Sequence, residues 1–81
     1  MTFQQQVIKE MEAKGYTVLK TIRLNKAGYP DLQCLKEGKV IWIECKEEKD
    51  TLRPLQKKRI DELRQLGFEA YCVKKNKAKI Y

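Results

Sequence analysis

Apolar positions at Phe3, Val7, Ile8 and Met11 follow one another at steps of four, one and three residues. That spacing marks one face of a helix and predicts one from Thr2 to Lys14, capped by the Thr2 hydroxyl and stopped at Gly15. From Tyr16 to Leu24 the chain is rich in β-branched residues and predicts a strand. Asn25-Lys26-Ala27-Gly28-Tyr29-Pro30 carries the residues of a loop. Two further strands, Asp31 to Leu35 and Val40 to Lys46, flank Lys36-Glu37-Gly38-Lys39 and predict a hairpin. The run Val40-Ile41-Trp42-Ile43 marks its second strand as largely buried. Beyond a charged connector from Glu47 to Leu52, Pro54 suits the first turn of a helix. Leu55, Ile60, Leu63 and Leu66 continue that helix until Gly67. Phe68 to Val73 reads as a strand, and the basic turn Lys74-Lys75-Asn76-Lys77 allows Ala78 to Tyr81 to return as a short edge. The order αβββαβ predicts an α/β domain with a mixed central sheet flanked by two helices. Its last main strand, reached through a helix, runs parallel to a neighbour.

At 81 residues the expectation is one domain, 1–81, with a small core. No apolar run approaches the roughly 18 residues of a membrane span, and the N-terminus does not read as a signal peptide. Cys34, Cys45 and Cys72 are odd in number, distant, and free of any CxxC pair. They are read as small buried hydrophobes of a reducing cytoplasm, not as a disulfide or zinc framework. The chain has no histidine, which excludes histidine bases, triads and metal ligands. Any metal must be a hard cation held by oxygen. Eighteen basic against eleven acidic residues give a formal charge of +7, which suits a polyanionic partner.

The hairpin makes a sharper statement. A symmetric turn centred on Glu37-Gly38 pairs Leu35 with Val40, Gln33 with Trp42 and Asp31 with Glu44. Opposed residues share a face, and Lys46, two positions beyond Glu44, projects from it as well. Two carboxylates and an amine thus meet at the open end of the hairpin. Two charges about 5 Å apart repel by roughly 3 kcal/mol at an effective dielectric constant near 20. A cation between them, protonation of one, or compensation by Lys46 would relieve this. An ordinary ion pair on a solvated sheet face is the plain alternative. Two features favour a site: Glu44 interrupts an apolar strand, and Gln56 lies four residues before Ile60 and seven before Leu63, on the inward face of its helix.

Gly28-Tyr29-Pro30-Asp31, Ile43-Glu44-Cys45-Lys46 and Pro54-Leu55-Gln56 ahead of a helix together resemble the virus-type replication-repair nuclease (VRR-NUC) family. That family belongs to the PD-(D/E)xK, restriction-endonuclease-like superfamily, whose αβββαβ core agrees with the predicted order. The chain is similar in brevity to stand-alone, phage-type members. The resemblance implies a metal-dependent endonuclease acting on branched or structured DNA as a homodimer. It implies that Asp31 and Glu44, with the backbone carbonyl of Cys45, hold Mg²⁺ or Mn²⁺. Lys46 would act on the attacking water and the phosphate, and Gln56 would line the site. One departure stands out: the family often has a glutamate early in its first helix, where this chain has Gln4-Gln5-Gln6 and no acid before Glu10. Gln4, on the Ile8–Met11 side, is the candidate to supply a neutral ligand or hold a water in its place.

Lys57, Lys58, Arg59 and Arg64 on the second helix, with Lys74, Lys75, Lys77 and Lys79, are read as a phosphate-tracking surface. Lys26 and Tyr29, close before Asp31, and Lys57 are the expected DNA contacts. Trp42 and Tyr71 are assigned to the core. Two other readings stay open: a non-catalytic basic nucleic-acid-binding domain, and an interaction protein whose hairpin carboxylates form only ion pairs.

Overall fold

The structure, a computed structural model, describes all 81 residues. Helix α1 (Phe3–Ala13) starts with a reciprocal cap: the Gln5 amide donates to Thr2 Oγ1 at 3.1 Å, and the Thr2 amide donates to Gln5 Oε1 at 2.9 Å. Strands β1 (Thr17–Lys20), β2 (Leu32–Lys36) and β3 (Lys39–Lys46) follow, then α2 (Pro54–Gln65), β4 (Glu69–Lys74) and β5 (Lys77–Lys79). The five strands form one sheet in chain order, antiparallel except that β3 and β4 run parallel. This is the predicted mixed α/β architecture, with the crossover helix α2 between the two parallel strands.

The hairpin adopts the expected register, Gln33 opposite Trp42 and Leu35 opposite Val40. Its two-residue turn places Glu37 at φ 48° and Gly38 at φ 77°, both left-handed, the backbone that matches strand twist in a tight hairpin.

Alternation along β3 splits the interior into two layers. On one face, Ile41 and Ile43 pack with Leu32, Cys34 and the α1 residues Val7 and Met11. On the other, Trp42 joins Tyr29, Ala70, Cys72 and the α2 residues Ile60 and Leu63. All three cysteines are free thiols, as expected; burial pushes the Cys45 thiol up to about 12, so it stays protonated.

One expectation fails. The first strand ends at Lys20 instead of Leu24. The Thr21 amide still donates to the Asp31 carbonyl at 2.9 Å. The next pair to exchange hydrogen bonds after Thr21 and Asp31 would be Arg23 and Tyr29, but the chain turns at Gly28, φ 87°, and Tyr29 packs beside Trp42 on the α2 side of the sheet. β-Propensity in Ile22-Arg23-Leu24 therefore finds no ladder, and residues 21–30 form a loop that folds back to Asp31.

Candidate active site

Asp31 lies at the bend leading into β2, and Glu44 and Lys46 near the end of β3, all at the open end of the hairpin. The Cys45 amide, which the register sets across from Pro30, donates to Asp31 Oδ2 at 3.1 Å. The bend thus replaces a main-chain acceptor by a carboxylate. Asp31 enters the site from the loop side while the ladder proper begins at Leu32.

Glu44 is only 3% exposed and is the one charged residue among the buried ones. One of its oxygens is used twice: Oε2 lies 3.3 Å from Lys46 Nζ and accepts from Gln56 Nε2 at 3.2 Å. The other, Oε1, is buried without a hydrogen-bond partner. Burial first, and the nearby Asp31 charge second, push the Glu44 carboxyl up to about 7, against the pull of Lys46. The repulsion expected from the hairpin register is therefore present and only partly offset.

Gln56 reaches Glu44 because α2 begins above this end of the sheet. Its Oε1 accepts from the Arg53 amide at 3.0 Å, so the same side chain closes the first turn of α2 and touches the carboxylate. Four side chains singled out from sequence, Asp31, Glu44, Lys46 and Gln56, are brought together.

The remaining candidates are placed differently. Gln4 sits on α1, whose core contacts lie on the face of the sheet opposite Gln56, and its side chain bonds to none of these four. No group of three acids or thiols forms here or elsewhere in the chain. Tyr29 is half-buried, its ring 6.0 Å from that of Trp42 and covered by the Arg59 guanidinium at 5.1 Å. Lys26 is exposed, and Lys57 Nζ lies over the Tyr81 ring at 5.1 Å.

Two residues shape the site in ways the sequence did not indicate: Arg59, read there as part of a phosphate-tracking surface, and Gly28, read there as part of a loop motif. Arg59 Nε donates to the Ala27 carbonyl at 2.9 Å and so ties α2 to the loop. Gly28, at φ +87°, lies so close to α2 that a Cβ there would stand 2.7 Å from Leu55 Cγ. Its signals in the sequence were its place in the loop between Asn25 and Pro30 and at the head of Gly28-Tyr29-Pro30-Asp31.

The VRR-NUC domain model matches residues 3–76. The chain belongs to this nuclease family. A solved structure described as a VRR_NUC domain shares 27% identity with a TM-score of 0.74, covering 85% of this chain and 76% of that one. The VRR-NUC chain also shares its fold with Hjc, a Holliday junction resolvase of the archaeal hyperthermophile Archaeoglobus fulgidus. There the identity is 19% and the TM-score 0.65, over 86% of this chain and 64% of Hjc. No curated protein sequence matches it significantly. The fold is thus the restriction-endonuclease-like one that the family resemblance implied.

Proposed function

We propose that this VRR-NUC chain is a divalent-metal-dependent endonuclease that hydrolyses phosphodiester bonds in branched DNA, working as a homodimer. The observation that carries the reading is the state of Glu44. A carboxyl oxygen buried without a donor is costly, and in a domain with so small a core that cost supports a use for Glu44. A donor set of two carboxylates and a main-chain carbonyl suits a hard cation, so the residues present fit Mg²⁺ or Mn²⁺.

Asp31, Glu44 and the Cys45 carbonyl would hold the ion, with Gln4 available only if it reaches round the end of the sheet. Bound there, such an ion acts as a Lewis acid toward a phosphate and lowers the pKa of a coordinated water. Lys46 keeps its ammonium beside Glu44 Oε2, where it can orient a water and offset charge gathering on a phosphate oxygen. Gln56 fixes the Glu44 carboxylate in one orientation. The Cys45 amide does the same for Asp31. Similarity to a resolvase fold and the +7 charge support branched DNA as substrate, and two copies would present one site to each of two strands. The three free cysteines suit a cytoplasmic setting, as for a phage-type protein in a bacterial host.

The test is incubation of four-way junction, flap and linear duplex with Mg²⁺ or Mn²⁺, beside a Lys46→Ala control. Cleavage of branched DNA that the control lacks, with its DNA binding in Ca²⁺ retained, is the expected result. Equal cleavage by the control removes Lys46 from the chemistry. The lack of a third acidic ligand favours a second reading, a basic DNA-binding domain without catalysis. That reading predicts junction binding, no cleavage, and no heat of Mn²⁺ binding in calorimetry.

A further inference from the structure

The loop at 21–30 presents the most exposed large apolar side chain of the molecule. Ile22 is 86% exposed, and Leu24 is 47% exposed. Solitary exposed apolar residues are common, but these two sit two positions apart in a loop with unusual anchoring. At one end, the Thr21 amide donates to the Asp31 carbonyl at 2.9 Å and the Thr21 hydroxyl donates to the Pro30 carbonyl. At the other, Arg59 holds the Ala27 carbonyl and Gly28 is pressed on Leu55. One stem is therefore fixed to Asp31 and the other to α2, and Ile22 follows directly on Thr21, whose amide bonds to the Asp31 carbonyl.

Charge selects the occupant. From Thr17 to Pro30 the chain holds Lys20, Arg23 and Lys26 and no acid. A second copy docking through the same loop would bring the cations of both copies together, whereas a polyanion would neutralise them. Apolar side chains framed by cations are how proteins enter DNA at a weakened base step: the cations hold phosphates while Ile or Leu replaces a lost stacking partner. Unstacking is least costly where stacking is already interrupted, as at a branch point.

We propose that Ile22 and Leu24 form a wedge that inserts at the unstacked base step of branched DNA, with Arg23 and Lys26 on the flanking phosphates. This gives the loop a role in choosing junctions over linear duplex, and it rests on the DNA-processing reading above. The dimer surface then lies elsewhere on the molecule.

The test uses the whole chain in Ca²⁺, with a four-way junction and a linear duplex of equal length, each carrying 2-aminopurine at the central step. The parent should favour the junction and raise its 2-aminopurine fluorescence. Ile22→Ser with Leu24→Ser should cut junction affinity about tenfold, a change of about 1.4 kcal/mol, and abolish the fluorescence rise while leaving duplex affinity within about twofold. Ile22→Leu should restore both. Because the side chains are exposed, the melting temperature should not fall. An unchanged junction-to-duplex ratio and fluorescence in the double serine variant overturns the wedge. So does conversion of a dimer to a monomer by those substitutions, which assigns the loop to a second copy. A parent that unstacks the junction but never cuts it keeps the wedge and sinks the nuclease reading; a parent that cuts without unstacking does the reverse.

Discussion

Gln56 donates from Nε2 to Glu44 Oε2 at 3.2 Å while its Oε1 accepts from the Arg53 amide at 3.0 Å. One amide thereby locks the start of α2 to the carboxylate on β3. Gln56→Glu keeps an acceptor for Arg53 but sets a second negative charge against Glu44. We expect a loss of about 1–2 kcal/mol at pH 8 that nearly vanishes at pH 5, where Glu44 is protonated. Gln56→Ala should lose about 1 kcal/mol at both pH values, because the cap is lost with either charge state. Chemical denaturation at the two pH values distinguishes the variants.

Glu44 makes stability depend on pH in an inverted sense for a carboxylate. Its folded pKa, about 7, lies above its ordinary value of 4.5, so between these values the folded state binds more protons than the unfolded one. Stability from this group is present below about pH 4.5 and is lost as pH rises through 7. The loss without metal is on the order of 3 kcal/mol. Glu44→Gln should remove that slope and exceed the parent in stability at pH 8. Parallel curves for parent and variant from pH 5 to 8 would contradict the assignment. Stabilisation by Mn²⁺ should grow across the same range, since only the carboxylate binds a cation.

Asp31→Asn removes the neighbouring charge that is the second cause of the Glu44 shift and leaves an acceptor for the Cys45 amide. The metal-free variant should gain about 1 kcal/mol at pH 8, which is several degrees in a domain of this size. It should also lose the Mn²⁺ response and cleavage. Asp31→Ala strands the Cys45 amide and should cost about 1–2 kcal/mol instead. If Asp31 acted only as an ion-pair partner of Lys46, Asp31→Asn would melt earlier, not later.

Gly28→Ala tests the seam between loop and helix. The new Cβ would meet Leu55 Cγ at 2.7 Å on a backbone at φ +87°, whereas at Gly38, φ +77°, nothing lies within 4 Å. Gly38→Ala should cost roughly 1–2 kcal/mol for backbone strain alone. Gly28→Ala should cost more, and it should also weaken junction binding by displacing the loop that carries Ile22. Equal losses for the two variants would show that Leu55 yields freely.

Much of the site was legible before any coordinates. The pleat sends alternate residues to opposite faces, and a symmetric two-residue turn sets which residues oppose. Asp31, Glu44 and Lys46 were therefore placed at one end of one face from spacing alone, and Gln56 was turned inward by its steps to Ile60 and Leu63. These are local quantities, determined within one hairpin or a few helical turns.

What spacing could not supply was partnership across the chain. The first strand stopped at Lys20 because the segment that would face Arg23 turns at Gly28 and is held against α2, a fact about the facing segment and not about Ile22 or Leu24. Gln4 belongs to α1, which covers the face of the sheet opposite α2, and its own helical phase carries no information on which face that is. The sequence alone determined the elements, the hairpin register and the meeting of two acids with a lysine. Only the tertiary structure decided that Glu44 is sealed under α2 with one oxygen unpartnered. That depends on how the crossover returns to β4, and burial is a property of everything packed around a group.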